Sequence, residues 1–211
     1  MSKNGILRVH GQAGVEVEIV RNYLADIEHV YNSIFVFDTS IEEIKRVSHH
    51  FPFPWEDLIW FSYGLPLRGR RAARFLRNWP PSPEEIASLV PNRDRLVIAE
   101  VDLHSPGFWN FLGNLNPLEV IRQYINDRHE RRKDKSYRES AEARKLELEN
   151  LKLENEVLRE RIKIAKELGA TEQDLAPLLN ELVFRPLRAL DRHQDRGVIE
   201  RAEISGQETL R

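Results

Sequence analysis

The alternation of apolar and polar residues from Ile6 to His10 predicts a short strand, which Gly11 and Gly14 terminate. Val17, Val20, Tyr23 or Leu24, Ile27, Tyr31 and Ile34 then recur at spacings of three and four, the pattern of a helix of about five turns with one packed face. Ile34 to Phe37 reads equally as a continuation of that helix or as a second strand, because a short apolar run carries no distinguishing period. Thr39 and Ser40 ahead of Glu42 and Glu43 signal another short helix ending near Val47. Phe51 to Trp55 is a turn-rich aromatic knot, and Leu58 to Tyr63 suits a buried strand or a helical turn. Ser82-Pro-Glu-Glu85 is a helix start with a cap, a proline at the first position and a box-closing glutamate. The clearest strand is Arg95 to Leu103, with Val97, Ala99, Val101 and Leu103 on one side and Glu100, Asp102 and His104 on the other.

Beyond this point the period changes. Asn116, Pro117 and Glu119 offer a cap, a first helical residue and a capping box, and no glycine or proline intervenes from there to Gly169. An unbroken helix over that stretch would run roughly 78 Å at about 1.5 Å per residue. Leu148, Leu151, Leu158, Ile162 and Ala165 fall on alternating heptad spacings from Lys145 onward, with Asn155 in a seam position where a buried amide fixes register. A second apolar set, Leu146, Leu153, Val157, Ile164 and Leu168, lies on another face. Thr171 and Asp174 then cap a helix carrying Leu175, Leu178, Leu179, Leu182 and Val183, so the chain is expected to fold back as a helical hairpin. Two apolar faces imply two neighbours, although short helices sharing one core would satisfy both within a monomer.

The fold class expected is an α+β N-terminal domain, with a ferredoxin-like split βαβ favoured, followed by a long coiled-coil helix and a helical hairpin. The organisation is a recognition domain over residues 1–105, an aromatic connecting segment over 106–125, the long helix and hairpin over 116–191, and a frayed tail over 192–211.

Composition excludes several chemistries. The chain has no cysteine, which removes disulfides, thiol nucleophiles and cysteine-based zinc sites. A net charge of −2 gives no whole-chain attraction to nucleic acid or membrane. The first residues lack an apolar signal core, and no apolar run approaches the length that spans a bilayer, so a cytoplasmic protein is expected. Asp102, His104 and Ser105 contain the residue types of a hydrolytic triad, but no glycine elbow exposes the serine. His49 and His50 fall short of a closed metal site, and no phosphate loop or dinucleotide fingerprint is present. No enzyme, cofactor or metal is expected.

Two segments suit ligands. Arg68, Arg70, Arg71, Arg74 and Arg77 lie with Phe75 and Trp79 in a stretch free of acid from Leu58 to Pro83, the content that grips phosphates and stacks bases. The same arginines also suit a solvated helix face or an acidic protein partner. Phe108, Trp109, Phe111 and Leu112 precede the basic block Arg128 to Arg138, which is how a peripheral protein holds an anionic bilayer. Packing against the preceding sheet is the favoured use of those aromatics.

The strand-helix-strand layout, the closing strand running into His104-Ser-Pro-Gly-Phe-Trp109, the apolar stretch after it and the charged helix together resemble TRADD-N-like adaptor modules of bacterial immune and conflict systems. The resemblance covers residues 1–125, and its local signature is Ser105-Pro106-Gly107. It implies an adaptor that recognises a protein partner and assembles, and it brings no catalytic motif. The expectation is therefore a non-enzymatic interaction protein that self-associates through Leu148, Leu151, Asn155, Leu158, Ile162 and Ala165. Nucleic-acid binding through Arg68 to Arg77, or membrane association through 106–138, is the alternative.

Overall fold

A computed structural model describes residues 3–11, 14–48, 80–102, 104, 106–133 and 155–205. The chain is α+β. Among the described residues its strands are β1 (Asn4–Gly11), β2 (Val97–Asp102), β3 (Gly107–Asn114) and β4 (Arg201–Ser205). They form one antiparallel sheet in the order β2-β3-β1-β4. Because β3 is antiparallel to both β1 and β2, the latter two run parallel with β3 inserted between them. By the same reasoning β3 and β4 run parallel with β1 between them.

The first helix, α1 (Val17–Ser48), is 32 residues long and merges the two helices expected on either side of Ile34–Phe37. Thr39 does not cap a new helix. Its hydroxyl donates to the Phe35 carbonyl at 2.7 Å, as the Ser33 hydroxyl does to His29 at 2.8 Å, so both polar groups are absorbed by the preceding turn. Every residue from Val30 to Asp38 is buried, which explains why periodicity failed there: a helix surrounded on all sides is apolar on all sides. Leu7, Val9 and Phe111 on one sheet face meet α1 and α3 (Leu115–Lys133), whose Leu118 and Ile121 share the core. The helices that follow cover other sides of α1.

Two capping boxes match expectation. The Ser82 hydroxyl accepts from Glu85 N at 3.2 Å at the start of α2 (Pro83–Ala87). At the start of α5 (Glu172–Leu179) the Thr171 hydroxyl accepts from Asp174 N at 3.3 Å. Gly169, with φ +99, ends α4 (Glu156–Glu167) as expected of a left-handed C-terminal glycine. After α5 the chain continues through a π turn (Asn180–Phe184) into α6 (Arg185–Ala189) and α7 (Asp191–Asp195).

The start of α3 differs from expectation. It begins directly after β3, and the capping oxygen is Asn114 Oδ1, which accepts from Asn116 N at 3.2 Å. Glu119 pairs instead with Arg122.

The unbroken helix from Asn116 to Leu168 is corrected by Asn155, whose backbone is extended (φ −75, ψ 114). This residue is the N-cap of α4 and not a seam residue within a helix: its Oδ1 accepts from Leu158 N at 3.0 Å, and its Nδ2 donates to Gln123 Oε1 on α3 at 2.8 Å. Leu158 and Ala165 are fully buried within the chain, and Ile162 is partly buried against the same core. Leu148 and Leu151 lie outside the described residues.

The division at residue 105 is also corrected. Segment 106–125 supplies β3 and the start of α3, and the expected tail supplies α7 and β4. That last segment is firmly seated. Gln194 Nε2 donates to the carbonyls of Ile125 (2.9 Å) and Glu200 (3.1 Å), and Glu200 N donates to His10 O at 2.8 Å. A Cβ on Gly11 would stand 1.9 Å from the Val198 carbonyl oxygen, so only glycine allows this crossing.

Candidate interaction surface

The two faces of the sheet differ. The register aligns Glu100, Asn110, Arg8 and Glu203 in one row across all four strands, on the face away from α1. Asn110 Nδ2 donates to Glu100 Oε2 at 2.7 Å, and Arg8 Nε donates to Asn110 Oδ1 at 3.0 Å. The Arg8 guanidinium also lies 4.4 Å from the Phe108 ring centroid. The next row places Asp102, Phe108, His10 and Arg201 side by side. His10 Nε2 sits 3.1 Å from Glu203 Oε1, and the two line a cavity of about 320 Å³ together with His129, Glu130 and Arg201. Acid and base balance in that cavity, so it selects neither anion nor cation. Among the described residues no group of three or more His, Asp or Glu side chains is arranged to hold a metal ion.

The two edges of the sheet differ more sharply than the faces. On β4, the Asn126 side chain of α3 behaves as a further strand would. Its Nδ2 donates to Ala202 O at 2.8 Å, and its Oδ1 accepts from Ala202 N at 2.9 Å. Both outward backbone groups of Ala202 are therefore used. On β2 no described strand lies beyond. Val97, Ile98 and Val101 on that strand are 52%, 47% and 38% exposed, which with Val17 makes them the exposed large apolar residues of the described chain.

The expected single apolar side of β2 is interrupted. A bulge between Ile98 and Glu100 leaves Val97 in the Leu112 row and Val101 in the Trp109 row, so the two valines lie on opposite faces. The strand ends in a turn where Asp102 Oδ1 accepts from His104 N at 2.9 Å and lies 2.6 Å from His104 Nδ1. These bonds, the backbone one foremost, hold the Asp102 carboxyl below its ordinary range. This carboxylate is half-exposed and ionised at neutral pH.

The aromatic segment singled out by sequence is strand β3. Phe111 is buried in the core, Trp109 packs edge-on to Tyr23 with centroids 5.9 Å apart, Phe108 lies under Arg8, and Leu112 is half-buried on the open face. They are a sheet strand's two faces and not a single apolar surface. Arg68, Arg70, Arg71, Arg74 and Arg77 lie outside the described residues. Among described residues no helix is long and apolar enough to cross a membrane.

The sequence pattern marks β2 as a strand but not as an edge, and it does not mark β4. The signal for β4 was present in the alternation of Arg201, Ala202, Glu203 and Ile204, a period-two pattern too short to stand out. No family model matches the sequence, and no curated protein or solved structure matches the chain.

Proposed function

We propose that this chain is a non-enzymatic interaction module that recognises protein through the free edge of its sheet, β2. The observation that carries this reading is the contrast between the edges: one is stoppered by Asn126, while the other presents backbone beside Val97, Ile98 and Val101. A strand laid along such an edge gains main-chain hydrogen bonds for affinity and side-chain contacts for selectivity. An adaptor role of the kind implied by the TRADD-N-like resemblance agrees with this chemistry, since neither needs a reacting group.

The strand order supports a split βαβ reading of the scaffold. Two parallel pairs, β1 with β2 and β3 with β4, each enclose a strand of the other pair, and helical segments lie along both crossovers. The coiled-coil reading narrows to Lys145–Glu154, outside the described residues, because Asn155, Leu158 and Ala165 are engaged within the chain.

The test is to purify the tagged full chain with its bound proteins from cells, in parallel with Val97→Lys/Val101→Lys. Lysine at an edge blocks strand addition without disturbing the core. The expected result is selective loss of bound protein from the variant at an unchanged melting temperature. Retention of the same bound set by a folded variant overturns the reading.

A further inference from the structure

We infer that the strand which docks on β2 is β2 of a second copy, antiparallel and related by a two-fold axis, so that two four-stranded sheets join into one. This deepens the proposed function and rests on its reading of β2 as an open edge.

Charges are ordered along the strand. Arg95 precedes the exposed apolar residues, Arg93 before it being paired with Asp94 Oδ2 at 3.3 Å, and Glu100 and Asp102 follow or flank them. The run from Arg95 to Asp102 is basic, then aliphatic, then acidic. Laid antiparallel on a copy of itself, its basic end meets an acidic end twice, once on each side of the axis. An axis between Ile98 and Ala99 sets Arg95 opposite Asp102 of the second copy and Leu96 opposite Val101. Parallel pairing in register would set like charges against each other, which is unfavourable for directly opposed residues. The two-fold arrangement is also the one in which a single patch serves both partners.

Burial points the same way. Val97 and Val101 lie on opposite faces because of the bulge, so a strand added beyond β2 covers apolar surface on both faces of the sheet at once. The contact is small, a pair of six-residue strands, and belongs to the weak, concentration-dependent class of association. Among the described residues the opposite edge is occupied at its centre: the Asn126 side chain takes the outward groups of Ala202, which opposes further addition there and favours two copies over a growing sheet.

The absence of cysteine makes the geometry directly testable. Positions 95 and 102 on one strand are about 23 Å apart, far beyond disulfide reach. In Arg95→Cys/Asp102→Cys, any disulfide linking 95 to 102 therefore joins two chains. Light scattering across a concentration series on the full chain is the companion measurement, on the native sequence, Arg95→Glu, Asp102→Arg, Arg95→Glu/Asp102→Arg and Val97→Lys/Val101→Lys.

The expected results are a concentration-dependent dimer, weakening of about tenfold for either single charge reversal, recovery in the double reversal, and loss of association in the lysine variant. The double cysteine variant gives a 95–102 linked dimer on oxidation. Cross-linking of each single cysteine variant to itself instead indicates parallel pairing and overturns the inference. A dimer indifferent to all β2 substitutions overturns it as well and places self-association elsewhere. A monomer at every concentration whose lysine variant still loses bound protein overturns self-pairing while leaving β2 as an edge for a different partner. If the lysine variant also keeps its bound protein, the open-edge reading falls with it.

Discussion

Arg161 Nε lies 2.6 Å from Asp38 Oδ1, both side chains are more than nine-tenths buried, and the pair joins α4 to the middle of α1. The guanidinium also reaches Glu42, and Asp38 accepts from Asn116 Nδ2 at 3.1 Å and 3.3 Å. Three segments distant in sequence thus meet on one carboxylate. Removing Asp38 leaves the buried Arg161 guanidinium with only the half-exposed Glu42 for close compensation, and removing Arg161 leaves the buried Asp38 with only the Asn116 amide, so either change costs more than the pair itself contributes. Asp38→Ala should lower unfolding stability by about 3–5 kcal/mol, measured by urea denaturation. Asp38→Leu/Arg161→Met should cost much less than either single change, because nothing charged is left stranded.

Asn155 distinguishes two structures by the sign of one mutation. In a coiled-coil seam, replacing a buried asparagine with leucine raises stability at the expense of register. At an N-cap the same change removes the acceptor for Leu158 N and deserts Gln123 on α3. Asn155→Leu should therefore destabilise by about 1–2 kcal/mol or more, read from the denaturation midpoint. A more stable protein would restore the continuous helix.

Tyr31 bridges three elements through one oxygen. Its hydroxyl donates to Asp94 O and accepts from Asn114 N, both at 2.8 Å, and burial pushes its pKa up to about 12. Tyr31→Phe leaves a buried N–H without an acceptor and should cost about 1–3 kcal/mol in equilibrium unfolding, with the fold retained.

Stability should fall on mild acidification. Burial lowers the pKa values of His193 and His29 below 6.5, outweighing for His193 the favourable bond to Asp26, whose Oδ2 lies 2.6 Å from the His193 Nε2. Below that value the unfolded chain binds protons that the native state refuses, so stability is full above about pH 7 and declines as pH falls through 6.5. Thermal melts from about pH 7.5 to 5.5 should show a falling midpoint, with a shallower slope in His29→Gln. A midpoint that rises over this range contradicts the assignment.

Local chemistry accounts for what could be read before the fold was known. The boxes at Ser82 and Thr171, the glycine stop at Gly169 and the opening strand each depend on residues within a turn of one another. What could not be read depends on distant neighbours. Asn155 becomes a cap because Gln123 receives its amide, and its heptad spacing carries no trace of that. Ile34–Phe37 is helical because the C-terminal helices close over it. The candidate surface was half legible: β2 is plain in its alternation, but whether a strand is an edge is decided by the order of the sheet. That order depends on β4, whose five residues lie in a stretch that reads as a tail.

The position of β1 has a consequence for the growing chain. It is made first, yet its partners are residues 107–114 and 201–205. During synthesis Leu7 and Val9 leave the ribosome roughly a hundred residues ahead of the first strand that can pair with them, and the sheet closes only after β4 has emerged. Over that interval a half-made β1 is open to non-native pairing on both sides, so a nascent molecule is more exposed to misassembly than the finished one, and delay in translating the stretch between β3 and β4 should lower the yield of folded protein.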